Sequence, residues 1–78
     1  MKHSFLLDGV KFRPTKNGSE FVTFYVRDFD ADGTPEMEQT SFNSFSPDVV
    51  ALAKMLKSGQ TVTLELRIKD AFVEDLEA

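Results

Sequence analysis

The sequence predicts a mainly β domain: a small five-stranded barrel with one short α-helix between its third and fourth strands. Three observations predict it. Apolar and polar residues alternate along several stretches, most clearly at 20–29 and 60–69. Turn-forming groups at 13–19 and 28–35 separate the first three stretches. One segment, opening at Ser46-Pro47-Asp48, combines helix-start residues with an apolar stripe at helical spacing. A length of 78 residues suits a single domain spanning 1–78 and excludes a multidomain enzyme.

Residues 3–12 form the first predicted strand. Phe5 and Leu7 fall on one face, and Leu6, Val10 and Phe12 on the other, with Gly9 in the middle. A glycine inside a strand marks a bulge or bend, so this long strand, apolar on both sides, is expected to be shared between two sheets. Arg13-Pro14-Thr15-Lys16-Asn17-Gly18-Ser19 is turn chemistry, and its Asn-Gly pair predicts a hairpin with a type I′ turn. The second strand is expected from Glu20 to Phe29. Val22, Phe24 and Val26 should face the core, leaving Phe21, Thr23, Tyr25, Arg27 and Phe29 on the other face.

After the 28–35 loop, a third strand is expected from Glu36 to Phe45, with Thr40 and Phe42 on one face and Gln39, Ser41 and Asn43 on the other. Ser46 is a good N-cap, Pro47 suits the first helical position and Asp48 suits the positive end of the helix dipole. Val49, Leu52, Ala53 and Leu56 form the stripe of a helix of about ten residues, with Lys54 and Lys57 near its end and Gly59 as its stop. A fourth strand, Gln60 to Lys69, points Val62, Leu64, Leu66 and Ile68 inward, and a short fifth runs from about Ala71 to Leu76. The order β-β-β-α-β-β is the topology of a small OB-type barrel. An α+β sandwich or a split barrel of similar length is the competing architecture.

Nine Lys plus Arg against thirteen Asp plus Glu give a net charge of −4. That balance argues against duplex binding by bulk positive charge. The charge is segregated, however. Residues 1–27 carry Lys2, Lys11, Arg13, Lys16 and Arg27 against Asp8 and Glu20; residues 28–48 carry six acids and no base. Residues 49–69 are again positive, and 70–78 hold only acids. If the two positive blocks meet in space, an acidic chain still presents a basic surface. There is no Cys, hence no disulfide and no thiolate zinc site. No apolar run approaches the roughly 20 residues of a membrane helix, and the few apolar residues before Asp8 are too short for a signal sequence. A cytoplasmic location without a membrane partner is therefore expected. Eight Phe and one Tyr are many for so small a core, so some rings are expected at the surface.

Several stretches then fit a known pattern: the first strand with Gly9, the run Asn17-Gly18-Ser19-Glu20-Phe21-Val22-Thr23-Phe24-Tyr25-Val26, then Phe45, the short helix, and Leu56-Lys57-Ser58-Gly59-Gln60-Thr61-Val62-Thr63-Leu64-Glu65. In their order and spacing these resemble the bacterial and phage single-stranded DNA-binding proteins, over residues 3 to 69. Phe24 matches the family's core Phe after an asparagine-glycine turn, and Leu56 to Gly59 match its leucine-basic-x-glycine lead into the fourth strand. The chain departs from that pattern in having no Trp, with Gln39 where a third-strand Trp is common, and in lacking the long hairpin between strands four and five and the Gly-rich tail.

The residues support the same chemistry. Binding single strands without sequence preference takes flat rings for bases and cations for phosphates in one groove. Phe21, Tyr25 and Phe29 recur on the non-core face of strand two, with Arg27 among them; Lys11, Arg13 and Lys16 flank the first loop, and Arg67 and Lys69 end strand four. Asn43 is a candidate hydrogen-bonding group for a base or phosphate. Asp28-Phe29-Asp30-Ala31-Asp32-Gly33 matches the opening of an EF-hand loop, but its twelfth position is Gln39, where a bidentate Glu is needed. Asp28, Asp30 and Asp32 thus make a calcium candidate with an incomplete ligand set. A lone His3, no Cys and no glycine-rich phosphate loop give catalysis no support. The expectation is a non-enzymatic binder of single-stranded DNA, with RNA as a second ligand and no cofactor, serving as a phage or mobile-element replication accessory. Its expected protein partners are a second copy in a homodimer and a replication or recombination protein. The rival expectation is an OB-type module whose aromatic face binds a polypeptide.

Overall fold

The computed structural model describes residues 2–67 and 72–77. In chain order the elements are β1 (Lys2–Pro14), β2 (Glu20–Arg27), β3 (Thr40–Ser44), α1 (Pro47–Ala53), β4 (Thr61–Arg67) and β5 (Phe72–Glu77). The strands close into one barrel in the order β1-β2-β3-β5-β4. Neighbours are antiparallel except β3 and β5, which run parallel and, among the described residues, pair Asn43 with Phe72. The fold is thus the small OB-type barrel, mainly β, with its one short helix between β3 and β4.

β1 corrects one expectation. The strand is shared as expected, pairing with β4 over Lys2–Leu6 and with β2 over Leu6–Pro14, but Val10 and Phe12 do not lie on the face opposite Phe5 and Leu7. The pairing with β2 slips between Leu7 and Gly9, so Asp8 is the extra residue of a bulge. One inserted residue inverts the alternation that follows it. Phe5 and Leu7 before the bulge, and Val10 and Phe12 after it, therefore all face the core side, the last two half-buried against it. The same inversion turns Lys11 and Arg13 outward.

Val22, Phe24, Val26, Val62, Leu64 and Leu66 fill the barrel as their alternation predicts. Ser44 closes it. Its buried hydroxyl donates to the Val73 carbonyl at 2.8 Å, tying β3 to β5 beside the Asn43–Phe72 pair. α1 caps the barrel with Val49, Val50 and Ala53. It is shorter than expected, and its buried stripe takes Val50 instead of Leu52, which is exposed. Ser46 caps it as read, its Oγ accepting from the Val49 amide at 3.5 Å. Gly59 lies beyond the helix end: its amide donates to the Leu7 carbonyl at 2.8 Å, leading the chain into β4.

The hairpin also differs. Gly18 (φ +84°) donates to the Thr15 carbonyl, which makes Lys16 and Asn17 the central residues. The Asn-Gly pair is therefore not the centre of a two-residue type I′ turn; glycine takes the left-handed position just after it. β2 ends at Arg27 and β3 begins at Thr40, both shorter than expected. Between them Phe29 bridges Pro35 in a small pinned loop, in which the Asp30 amide donates to Thr34 and the Glu36 amide to Asp28. Ile68, Lys69 and Ala71, expected in the fourth and fifth strands, lie outside the described residues.

Candidate nucleic-acid interface

Because Val22, Phe24 and Val26 occupy the core, β2 turns Phe21, Thr23, Tyr25 and Arg27 to the outer face of the barrel. Its neighbours complete that wall. On β1, Arg13 lies opposite Phe21, Lys11 opposite Thr23 and Gly9 opposite Tyr25. On β3, Asn43 lies opposite Thr23 and Ser41 opposite Tyr25. The Tyr25 ring thus sits beside a residue with no side chain, while exposed cations follow along β1. Lys16 is exposed at the hairpin tip.

Two contacts order this wall. The Arg13 guanidinium donates to the Tyr25 hydroxyl at 3.1 Å, holding cation and ring side by side. The Thr23 hydroxyl donates to Asn43 Oδ1 at 2.8 Å, which leaves the Asn43 amide NH2 as the group on offer.

At the end of β3 stands a ring that the sequence reading did not include in the site. Phe45 stacks on Phe21 with centroids 4.8 Å apart and planes 23° apart, and it meets Phe72 edge-on at 5.6 Å. It remains 54% exposed. Arg67 extends the series, its guanidinium lying 5.6 Å from the Phe72 centroid and 3.6 Å from Glu74. Phe21, Phe45 and Phe72 form a shelf that crosses from β2 to β5, with Arg13 at one side and Arg67 at the other.

Two expected members are not assembled there. Phe29 leaves β2's face altogether and sits in the Phe29–Pro35 bridge, because β2 stops at Arg27. Arg27 is on the face but its charge is held: Nε reaches both Asp8 oxygens at 3.0 Å and Nη2 reaches Oδ1 at 2.9 Å. Gln39 adds a third grip, its amide donating to Asp8 Oδ2 at 2.9 Å. The calcium candidate is also not gathered. Asp28 bonds His3 at 2.8 Å, and Asp30 Oδ1 accepts from the Asp32 and Thr34 amides. No cluster of metal-ligating side chains exists among the described residues. Lys69 lies outside them.

The Gln39 hydrogen bond, and then those from Arg27, hold the Asp8 carboxyl below the usual carboxylate range. Asp28 is lowered in the same sense, chiefly by its hydrogen bond to His3. A carboxyl with a depressed folded value stabilises the fold above its unfolded value, about 3.9, and loses that contribution as pH falls through the lower folded one. Asp8→Asn is therefore expected to flatten the acid side of the stability curve below the unfolded carboxyl value of about 3.9. Thermal melts across that range check it; an unchanged slope would show that the Asp8 network does not couple folding to pH.

Among the described residues no helix is long and apolar enough to cross a membrane. No protein family, curated protein or solved structure matches this chain.

Proposed function

We propose that this chain is a non-enzymatic module that binds single-stranded nucleic acid, DNA foremost, with little sequence preference. One observation carries the reading: rings and cations share the outer wall of β1, β2 and β3. Phe21, Tyr25 and the exposed Phe45 offer stacking faces, and Lys11, Arg13 and Lys16 lie beside them. Rings accept any base, so affinity comes without sequence readout, while the cations follow the phosphates. The Asn43 amide donates to a base edge or a phosphate. The Asp8–Arg27 pair ends the basic stretch, and the acidic 28–38 segment beyond it repels the strand. The resemblance to bacterial and phage single-stranded DNA-binding proteins gives this reading its setting, DNA replication.

Titration of a labelled oligo-dT at low salt, followed by anisotropy, tests it. With Lys11, Arg13 and Lys16 as the contacting cations, the slope of log affinity on log salt is expected near −2, from about −0.7 per phosphate neutralised. Lys11→Ala should reduce its magnitude by about 0.7. Arg27→Ala should leave it unchanged, because Asp8 already neutralises that guanidinium. Tyr25→Ala should weaken binding about fivefold or more without loss of folding. No binding even at low salt would overturn the reading in favour of a module whose aromatic face receives a polypeptide.

A further inference from the structure

We infer that copies of this chain associate head to tail, with Met37 of one copy seated in the groove between the β1–β2 hairpin and α1 of the next. The groove has a volume of about 640 Å3, and its apolar lining is Phe12, Pro14, Phe45, Pro47, Val50 and Ala51. Arg13 and Lys54 stand at its rim with one acid, Glu20, which is paired to Lys54. It is an apolar slot with a net positive mouth.

The complementary feature is elsewhere on the same molecule. Met37 is 97% exposed. Glu36 and Glu38 flank it, and its connection between β2 and β3 carries Asp28, Asp30 and Asp32 and no base. A single exposed apolar side chain is ordinary. This one projects from a base pinned by the Phe29–Pro35 bridge and the Glu36–Asp28 hydrogen bond. An unbranched, adaptable side chain flanked by acids fits an irregular apolar slot whose mouth carries one positive charge in excess, with Arg13 not offset by Glu20.

Geometry decides whose groove it fills. The groove lies at the Glu20 end of β2, and the Met37 loop leaves from the Arg27 end. Those ends are roughly 23 Å apart at 3.3 Å per strand residue. A copy therefore cannot fill its own groove. The contact joins two different patches, so it is heterologous: each added copy carries a free loop and a free groove, and growth passes the dimer toward a ring or a filament according to the rotation between copies. This association does not depend on the nucleic-acid reading, and its test contains no nucleic acid.

Two substitutions separate the patches: Met37→Asp removes the knob, and Ala51→Arg fills the groove from an exposed position on α1. Sedimentation velocity at low salt and roughly millimolar protein, suited to a weak contact, is expected to show wild-type mass rising with concentration past a dimer. The rise should vanish in roughly 0.5 M salt, where the rim charges are screened. Each variant alone should remain at 8.8 kDa. An equimolar mixture should stop at a one-to-one dimer, because only one intact knob and one intact groove are available. If Ala51→Arg does not fold, Lys54→Glu replaces it, and its association should be restored by a partner carrying Glu36→Lys and Glu38→Lys. A monomeric wild type, variants that associate as the wild type does, or a mixture that stays monomeric would each overturn the inference. So would a closed dimer indifferent to both substitutions, which would point to the exposed Leu52 and Met55 instead.

Discussion

Phe45→Ala is expected to weaken oligo-dT binding by about 5- to 150-fold, the loss of one stacked base at about 1–3 kcal/mol. Folding should be nearly unaffected, because more than half of the ring is already in water. Phe45 also braces its neighbours, since Phe21 leans on one of its faces and Phe72 meets its edge. Truncating Phe45 therefore removes a base-stacking surface and loosens Phe21 as well. The double variant Phe21→Ala/Phe45→Ala should consequently lose less than the product of the two single effects. Anisotropy on the three variants, with thermal melts as controls, checks the claim. Full additivity would mean that the two rings act as separate sites, and an unchanged affinity for Phe45→Ala would remove the shelf from the interface.

That ring was hard to find in the sequence for a physical reason. Alternation reveals burial only inside a strand, and Phe45 stands at the junction where β3 ends and the helix cap begins. Phe72 joins it through a parallel pairing to Asn43, which local periodicity does not encode. By contrast β2 and β4 were legible, because strict alternation records directly which side of a sheet is buried. That alternation puts Phe21 and Tyr25 on the outer face, whereas Lys11 and Arg13 are legible only as cations flanking the first loop, and the bulge decides which way they point. Phe29 was misplaced because the β2 pattern continues past the residue at which pairing stops. Arg27 was correctly placed on the face, but its neutralisation depends on Asp8 being the bulged residue, and only the register shows that. The bulge also explains β1, where Val10 and Phe12 join Phe5 and Leu7 on the core side once a single inserted residue inverts the strand's second half.

Phe24→Ala is expected to cost about 3–5 kcal/mol, the range for emptying a buried phenylalanine site. Phe24 is fully buried and lies between Val10 on β1 and Phe42 on β3. It therefore supports three adjacent strands of the barrel. The fold has little to absorb the loss, since domains of this size hold a margin of only about 5–15 kcal/mol at most. Barrel closure includes the Asn43–Phe72 pair and the Ser44–Val73 hydrogen bond, which adjoin the strands that Phe24 supports. At about 4–8 °C per kcal/mol for a domain of this length, the melting temperature should fall by more than ten degrees, or the cooperative transition should disappear. Binding should fall with it, because the outer wall is the reverse side of the same strands: the curvature that brings Arg13, Tyr25 and Phe45 together is set by what fills the barrel beneath them. A melt lowered by only a degree or two would mean that the interior can collapse around the missing ring, and that the wall's shape is set by β-pairing alone.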